Sequence, residues 1–320
     1  MNTREGEQAG RSNGRVAAAC PDDVPILGIR VFGGFDLWLG DVPVDPAVTR
    51  QRKLQVLMGI LAVNHGQELF SDHVADSIWP RSPLEKKRHS FYNLWYVTTR
   101  AVYEGKREDN PYFERRHHTC RLIDAHVHTD VEDVELACKQ LARHDLTPAQ
   151  AIEAYRFLQD AYRGDLLPGE TENAIILRAR MEWRERVTGA LSAAAHQMME
   201  HGEDRTALWM ATAASRISGT REDVARLRMA LFAKMGMKAY AVRAYDELDA
   251  VLREQVGFGP SPQSVQLMEQ VIESGPSHPS CASPRRRRHP RRTAGMRSTG
   301  YGRPLAGEVP AAADFLAGPM

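Results

Sequence analysis

Lys86, His89, Asn93, Tyr96 and Arg100 recur three or four residues apart in the stretch SPLEKKRHSFYNLWYVTTRAVYEG, which runs from Ser82 to Gly105. On an α-helix that spacing places all five on one side. The set is made of hydrogen-bond donors, cations and one amphipathic ring. An asparagine amide matches the edge of adenine in a bidentate contact, and lysine or arginine matches guanine or a phosphate. The chemistry on offer is recognition of a polyanion with readable edges. A second cationic group follows at Arg115 and Arg116, with His117 and His118 beside it, suited to phosphate or minor-groove contact. A third, Arg50, Arg52 and Lys53, stands where a helix begins. Cations there oppose the helix dipole, and a phosphate partner would relieve that cost. The plain alternative for each group is a solvated polar surface.

These side chains need elements to hold them. In the same stretch Phe91, Trp95, Thr98 and Val102 form a narrow stripe flanked by Leu94 and Ala101, which is the pattern of a core face. Ser82 as N-cap, Pro83 at the first helical position and Glu85 three residues after the cap predict the helix start, and Gly105 the stop. The span of about 21 residues gives a helix about 31 Å long. Upstream, ILGIRVFGGFDLWLGDVPVD from Ile26 alternates apolar and polar residues around turns at Gly33-Gly34 and Gly40-Asp41, predicting three short antiparallel strands. From Arg50, Leu54, Leu57 and Leu61 take helical spacing and Gly66 ends the run, while Ser71 caps a short helix that Pro80 terminates. Downstream of Gly105, YFERRHHTCRLID predicts a hairpin with the basic cluster at its tip. Strands, three helices and a hairpin, over residues 26–125, make the order of a winged helix-turn-helix. In that fold the third helix enters the major groove and the hairpin touches the backbone.

Residues 131–273 read as helices throughout, in pieces of about 12 to 18 residues whose apolar positions lie three or four apart. Antiparallel pairs with small residues at close contacts, such as Ala239, Ala241 and Ala244, resemble tetratricopeptide-like hairpins, which stack into arrays that bind protein. The expected fold is therefore mostly α: an N-terminal winged helix of α+β type, then an all-α tetratricopeptide-like array. Residues 1–25 read as a flexible leader and residues 274–320, with RRRRHPRR at Arg285 to Arg292, as a disordered tail.

Charge follows the same division beneath a formal net charge of +1. Residues 26–125 carry 14 Lys+Arg against 12 Asp+Glu, residues 131–273 carry 17 against 22, and residues 274–320 carry 8 against 2. A basic front meets DNA and an acidic middle meets protein. The four cysteines are dispersed without a C-x-x-C pair, which fits reduced thiols in a cytoplasm. The H-x-H of DAHVHTD, Asp124 to Asp130, imitates the start of an amidohydrolase metal site, but the later barrel ligands such a site needs have no counterpart here. That segment is expected to be an exposed inter-domain linker. The sequence has no phosphate-binding G-x-x-x-x-G-K-[ST] loop and no G-x-S-x-G elbow. Neither an enzyme, a metal nor a cofactor is expected.

The texts LGIRVFGGFDLWLGDVPV, RKLQVLMGILAVNHGQELF, Ile78-Trp79-Pro80, YRGDLLPG at Tyr162 to Gly169, MEWRERV and MGMKAYAVRAYDELDAVLREQVGFGPSPQ stand in the order found in one family. Over residues 26–272 the chain resembles the Streptomyces antibiotic regulatory proteins, which join an OmpR-type winged helix to a bacterial transcriptional activation domain. The resemblance implies an activator that sits on directly repeated promoter sites as side-by-side protomers, reads the major groove and recruits RNA polymerase. Such a protein is a homodimer on DNA and has no membrane partner. Family members usually carry several arginines in the second half of the recognition helix, where this sequence has Tyr92, Val97 and Thr99 and keeps Arg100. An adaptor whose winged helix no longer reads DNA, and whose array binds a partner protein, is the competing expectation.

Overall fold

The structure, a computed structural model, describes residues 24–106 and 109–273. The readings of a leader before residue 24 and of a tail after residue 273 lie outside the described residues. The N-terminal half opens with β1 (Leu27–Arg30), β2 (Asp36–Leu39) and β3 (Val42–Pro43). The antiparallel register pairs Leu27 with Leu39 and Ile29 with Leu37, so the alternation seen in sequence puts these four on one buried face. Then come α1 (Pro46–Thr49), α2 (Arg52–Val63), β4 (Leu69–Phe70), α3 (Ser71–Ile78) and α4 (Leu84–Val102), followed by the hairpin β5 (Phe113–Arg116) and β6 (Thr119–Leu122). β4 pairs with β6 to complete a second sheet of order β4-β6-β5. This order of strands, helices and hairpin is the one expected for a winged helix, with α4 the long helix before the hairpin and β5–β6 in the place of the wing.

One element departs from expectation. Val127–Thr129 is a strand, β7, not a free linker. It runs parallel to β1, Leu27 opposite Val127 and Ile29 opposite Thr129, and gives the first sheet the order β3-β2-β1-β7. His128 of the H-x-H faces out and its Nε2 lies 3.0 Å from Asp133. Three residues are too few to show a period, and the partner strand lies about a hundred residues away, so local pattern carries no sign of this pairing.

The helical half consists of α5 (Asp130–Leu141), α6 (Pro148–Ala161), α7 (Ala174–Glu200), α8 (Asp204–Ile217), α9 (Glu222–Lys234), α10 (Lys238–Gln255) and α11 (Pro262–Glu273). Capping boxes open α5, from Thr129 and Glu132, and α6, from Thr147 and Gln150. α7 is longer than the expected pieces: its 27 residues make about 40 Å. Asn173 starts it by accepting from the backbone N–H of Ile175 and Ile176 at 3.1 Å. Of the alanines expected at close contacts, Ala241 and Ala244 are buried, whereas Ala239 is exposed because it lies on the outer side of α10.

The halves share one continuous core from Leu27 to Leu231, and the segment YRGDLLPG is their joint. Phe32 bridges to Leu166, the Leu167 N–H donates to the Val31 carbonyl at 2.8 Å and the Gly33 N–H to that of Asp165 at 2.9 Å. Gly33 has φ of 77°, and a Cβ there would stand 2.8 Å from Cβ of Arg163, so both conformation and contact call for glycine. On α2, a Cβ at Gly59 would meet Leu167 Cδ1 at 2.5 Å. This explains why α2 is buried almost all round, beyond the Leu54, Leu57 and Leu61 stripe: the array covers its second face. Arg180 of α7 donates to the carbonyls of Leu166, Leu167 and Glu170 at 2.9, 2.6 and 2.7 Å. The buried Asp130 carboxylate accepts the backbone N–H of Val31 and of Phe32.

Candidate nucleic-acid interface

The sequence of α4 divides as its period requires. Phe91, Leu94, Trp95, Thr98, Ala101 and Val102 are buried, and Trp95 packs against Phe91 and against Phe113 of the wing with ring centroids 5.9 and 5.8 Å apart. The helix starts one residue later than the sequence signals suggest. Pro83 is its N-cap, and no side chain caps it, because Ser82 is drawn into a turn in which its N–H donates to the Trp79 carbonyl. At the other end Arg100 donates to the carbonyls of Glu104 and Gly105. Arg100 therefore closes the helix C-terminus, where a cation is favourable.

On the outer face Lys86, His89, Asn93 and Tyr96 are exposed, with Tyr96 at 64%. Lys86 makes no ion pair among the described residues. The Asn93 amide nitrogen lies 3.1 Å from Nε2 of His89. An amide NH₂ has two hydrogens, so that contact leaves one N–H and the carbonyl oxygen of the exposed Asn93 uncommitted among the described residues, the pair that an adenine edge needs. The neighbouring cations are engaged: Lys87 with Asp76 at 2.8 Å, and Arg88 with Asp72 in a fork at 2.9 and 2.6 Å. Hydrogen bonding from Arg88 holds the Asp72 carboxyl below its usual range. These pairs brace α4 against α3.

The wing stands beside this face across a groove of about 810 Å³ lined by Tyr92, Tyr96, Arg100, Arg115 and Arg116. Arg115 lies over the Tyr92 ring, 4.2 Å from its centroid. Arg116 and Arg121 both pair with Glu114 at 2.6 Å, and they keep its carboxyl low, Arg121 first. The turn is His117-His118, with His117 at φ of 37°, and the Ser71 N–H fixes it from the start of α3 by donating to the His118 carbonyl at 2.7 Å.

The third cationic group is not brought to this surface as a unit. Arg50 is exposed at the end of α1, and Lys53 lies 5.0 Å from the Trp79 ring centroid. Arg52 turns to the joint, where Nε and Nη2 grip Glu170 at 3.0 and 2.9 Å and Nη2 reaches Glu172 at 3.1 Å. The Arg52 hydrogen bonds bring the Glu170 carboxyl down to about 2. The cost foreseen for a cation at a helix N-terminus is thus offset by a carboxylate of the array. Sequence reasoning missed that role, and the only local hint was the acidic run GETE after YRGDLLP.

Residues 127–272 match the family model described as bacterial transcriptional activator domain. No curated protein matches the chain. Among solved structures the fold is similar to that of EmbR from Mycobacterium tuberculosis, determined in complex with a low-affinity phosphopeptide, with a TM-score of 0.58 at 16% identity. The similarity covers 78% of this chain, and this chain spans 65% of the length of that one. The shared fold takes in a small N-terminal α/β region and a mostly helical remainder, and it is over the helical remainder that the chain is similar to the bacterial transcriptional activator domain.

Proposed function

We propose that the chain is a sequence-reading transcriptional activator, with α4 in the major groove, the wing on the adjacent backbone and the helical array in contact with RNA polymerase. The observation that carries this reading is the exposed row Lys86, His89, Asn93 and Tyr96 on a helix whose opposite face is locked by Trp95. Arg115 and Arg116 supply phosphate contacts from the wing, and Arg50 a further one. Arg52 serves the joint instead, and Lys53 lies over the half-buried Trp79 ring. Two copies on directly repeated sites, working in the cytoplasm without a cofactor or catalytic step, complete the reading.

Fluorescence anisotropy of the full chain on DNA from upstream of its own gene, against scrambled DNA and with salt titrated, tests it. One fragment preferred at near-physiological salt, with the preference lost in the Lys86→Ala, Asn93→Ala double variant, supports a reader. The adaptor reading is favoured by a specific observation: Lys87 and Arg88 are spent on α3, while Tyr92 and Val97 are exposed apolar side chains on α4. Equal, weak binding to every fragment that collapses with salt would support it.

A further inference from the structure

The array, acidic as a whole, contains a pocket of the opposite charge. It lies between α8, α9 and α10 and has a volume of about 470 Å³, within the range of about 300–1,000 Å³ usual for small-molecule sites. Arg205, Arg216, Arg228 and Arg243 line it against a single carboxylate, Glu247, whereas residues 131–273 carry 17 Lys+Arg against 22 Asp+Glu. The remaining wall is apolar and aromatic. Trp209 comes from α8, and Phe232 of α9 stacks on Tyr240 of α10 with centroids 5.6 Å apart. The apolar core divides at this place: Phe232 and Ala244 belong to one small cluster of buried residues and Ala225 and Leu248 to another, with the half-buried Leu208 packing against both the main core and the first. Helices that interdigitate elsewhere in the array here leave a concave wall.

Polar groups in the wall point to the kind of occupant. Thr212 is 9% exposed and its Oγ1 has no hydrogen-bond partner among the described residues. Arg228, whose side chain is 12% exposed, is held by Ser215 Oγ at 2.9 Å and Glu247 at 3.2 Å, yet its Nε also lacks a partner. A buried polar atom without a partner costs free energy, and both of these lie in residues of the pocket wall. Arg205 and Arg216 pair with no carboxylate among the described residues.

We infer that this pocket binds a small amphipathic organic anion, a ring system bearing a carboxylate, with the rings against Trp209, Phe232 and Tyr240 and the carboxylate drawn to the arginines and the Thr212 hydroxyl. The chain's own run Arg285 to Arg292 has the wrong charge for it, and the volume is too small for a nucleic-acid duplex. The site shares no residue with α4 or the wing, so it stands or falls apart from DNA reading.

Titration calorimetry of the full chain with 1-naphthaleneacetate, and with its uncharged isostere 1-naphthaleneacetamide, tests the inference. The acid is expected to bind at least about tenfold more tightly than the amide, and to lose about tenfold in affinity in Arg216→Gln, the equivalent of about 1.4 kcal/mol. Arg178→Gln, an exposed change on α7 outside the pocket, should bind as the wild type does. Arg228→Gln, with its fold checked by circular dichroism, should lose more than Arg216→Gln, since its Nε–H lies deeper. Equal affinity for acid and amide, no heat from either, or binding unchanged in both arginine variants would overturn it. So would capture of an acidic aromatic peptide such as DFEDFL without any binding of the naphthalene acid, which would make the pocket a protein-docking site.

Discussion

The joint and the outer face of α4 use the same residue types in opposite ways. At the joint Arg52, Arg180 and Arg184 are each held by two or more hydrogen bonds to Glu170, to the Leu166, Leu167 and Glu170 carbonyls, and to Asp165. On α4 the polar side chains at Lys86, Asn93 and Tyr96 keep unspent hydrogen-bonding capacity toward solvent. Charged groups with several fixed partners hold a fold together, and exposed ones with free donors are available for a ligand. A guanidinium count alone would rank the joint as the binding site. The geometry ranks it as structure.

Changes on each side should separate these roles. The largest effect is expected for Trp95→Ala, which opens a cavity between α4 and the wing and should lower unfolding free energy by about 3–5 kcal/mol in urea denaturation. A loss under about 1 kcal/mol would mean that α4 is not anchored as described. At the joint, Gly59→Val forces an isopropyl group against Leu167 and should cost about 1–3 kcal/mol, without altering which DNA fragment is preferred.

Asn93→Ala should reverse that pattern, leaving stability within about 0.5 kcal/mol while discrimination at one base pair falls by about 1–3 kcal/mol. Equal loss of affinity on every DNA sequence would reduce Asn93 to a phosphate contact. Glu170→Gln removes a contribution that is present at neutral pH, so the variant should be less stable there and its difference from the wild type should shrink in acid. The Glu170 carboxyl is lowered from 4.5 to about 2, so its contribution is complete above about 4.5 and is lost as pH falls toward about 2. The wild type should therefore lose stability more steeply than Glu170→Gln over that window. Asp130 has the opposite sign: burial pushes it up to about 6, so its share of stability is present below about 3.8 and lost as pH rises through about 6.

Much of the fold was legible because it is local. The two faces of α4 follow from Phe91, Trp95 and Val102 at helical spacing, and the three opening strands follow from alternation broken by Gly33 and Gly40. The series of helices after residue 130 follows from the same period. What could not be read there depends on partners distant in the chain. β7 exists because Val127–Thr129 meets β1, Arg52 is captured because Glu170 lies 118 residues away, and Asp130 is buried because two N–H groups of another element receive it. The exposed row on α4 was legible as residue types, but the loss of Lys87 and Arg88 to α3, and of Arg100 to its own helix end, depends on how neighbouring elements pack.

The parallel pairing of β7 with β1 also governs how the molecule can be cut. β7 is the outer strand of its sheet and has β1 as its one neighbour. A fragment starting at residue 126 would keep Val127 and Thr129 with an open row of amide and carbonyl groups and an apolar side stripped of its cover. Such an edge recruits other strands, so the isolated array would be expected to clump, while a fragment that retains Leu27 to Leu39 alongside residues 126–273 would stay in solution.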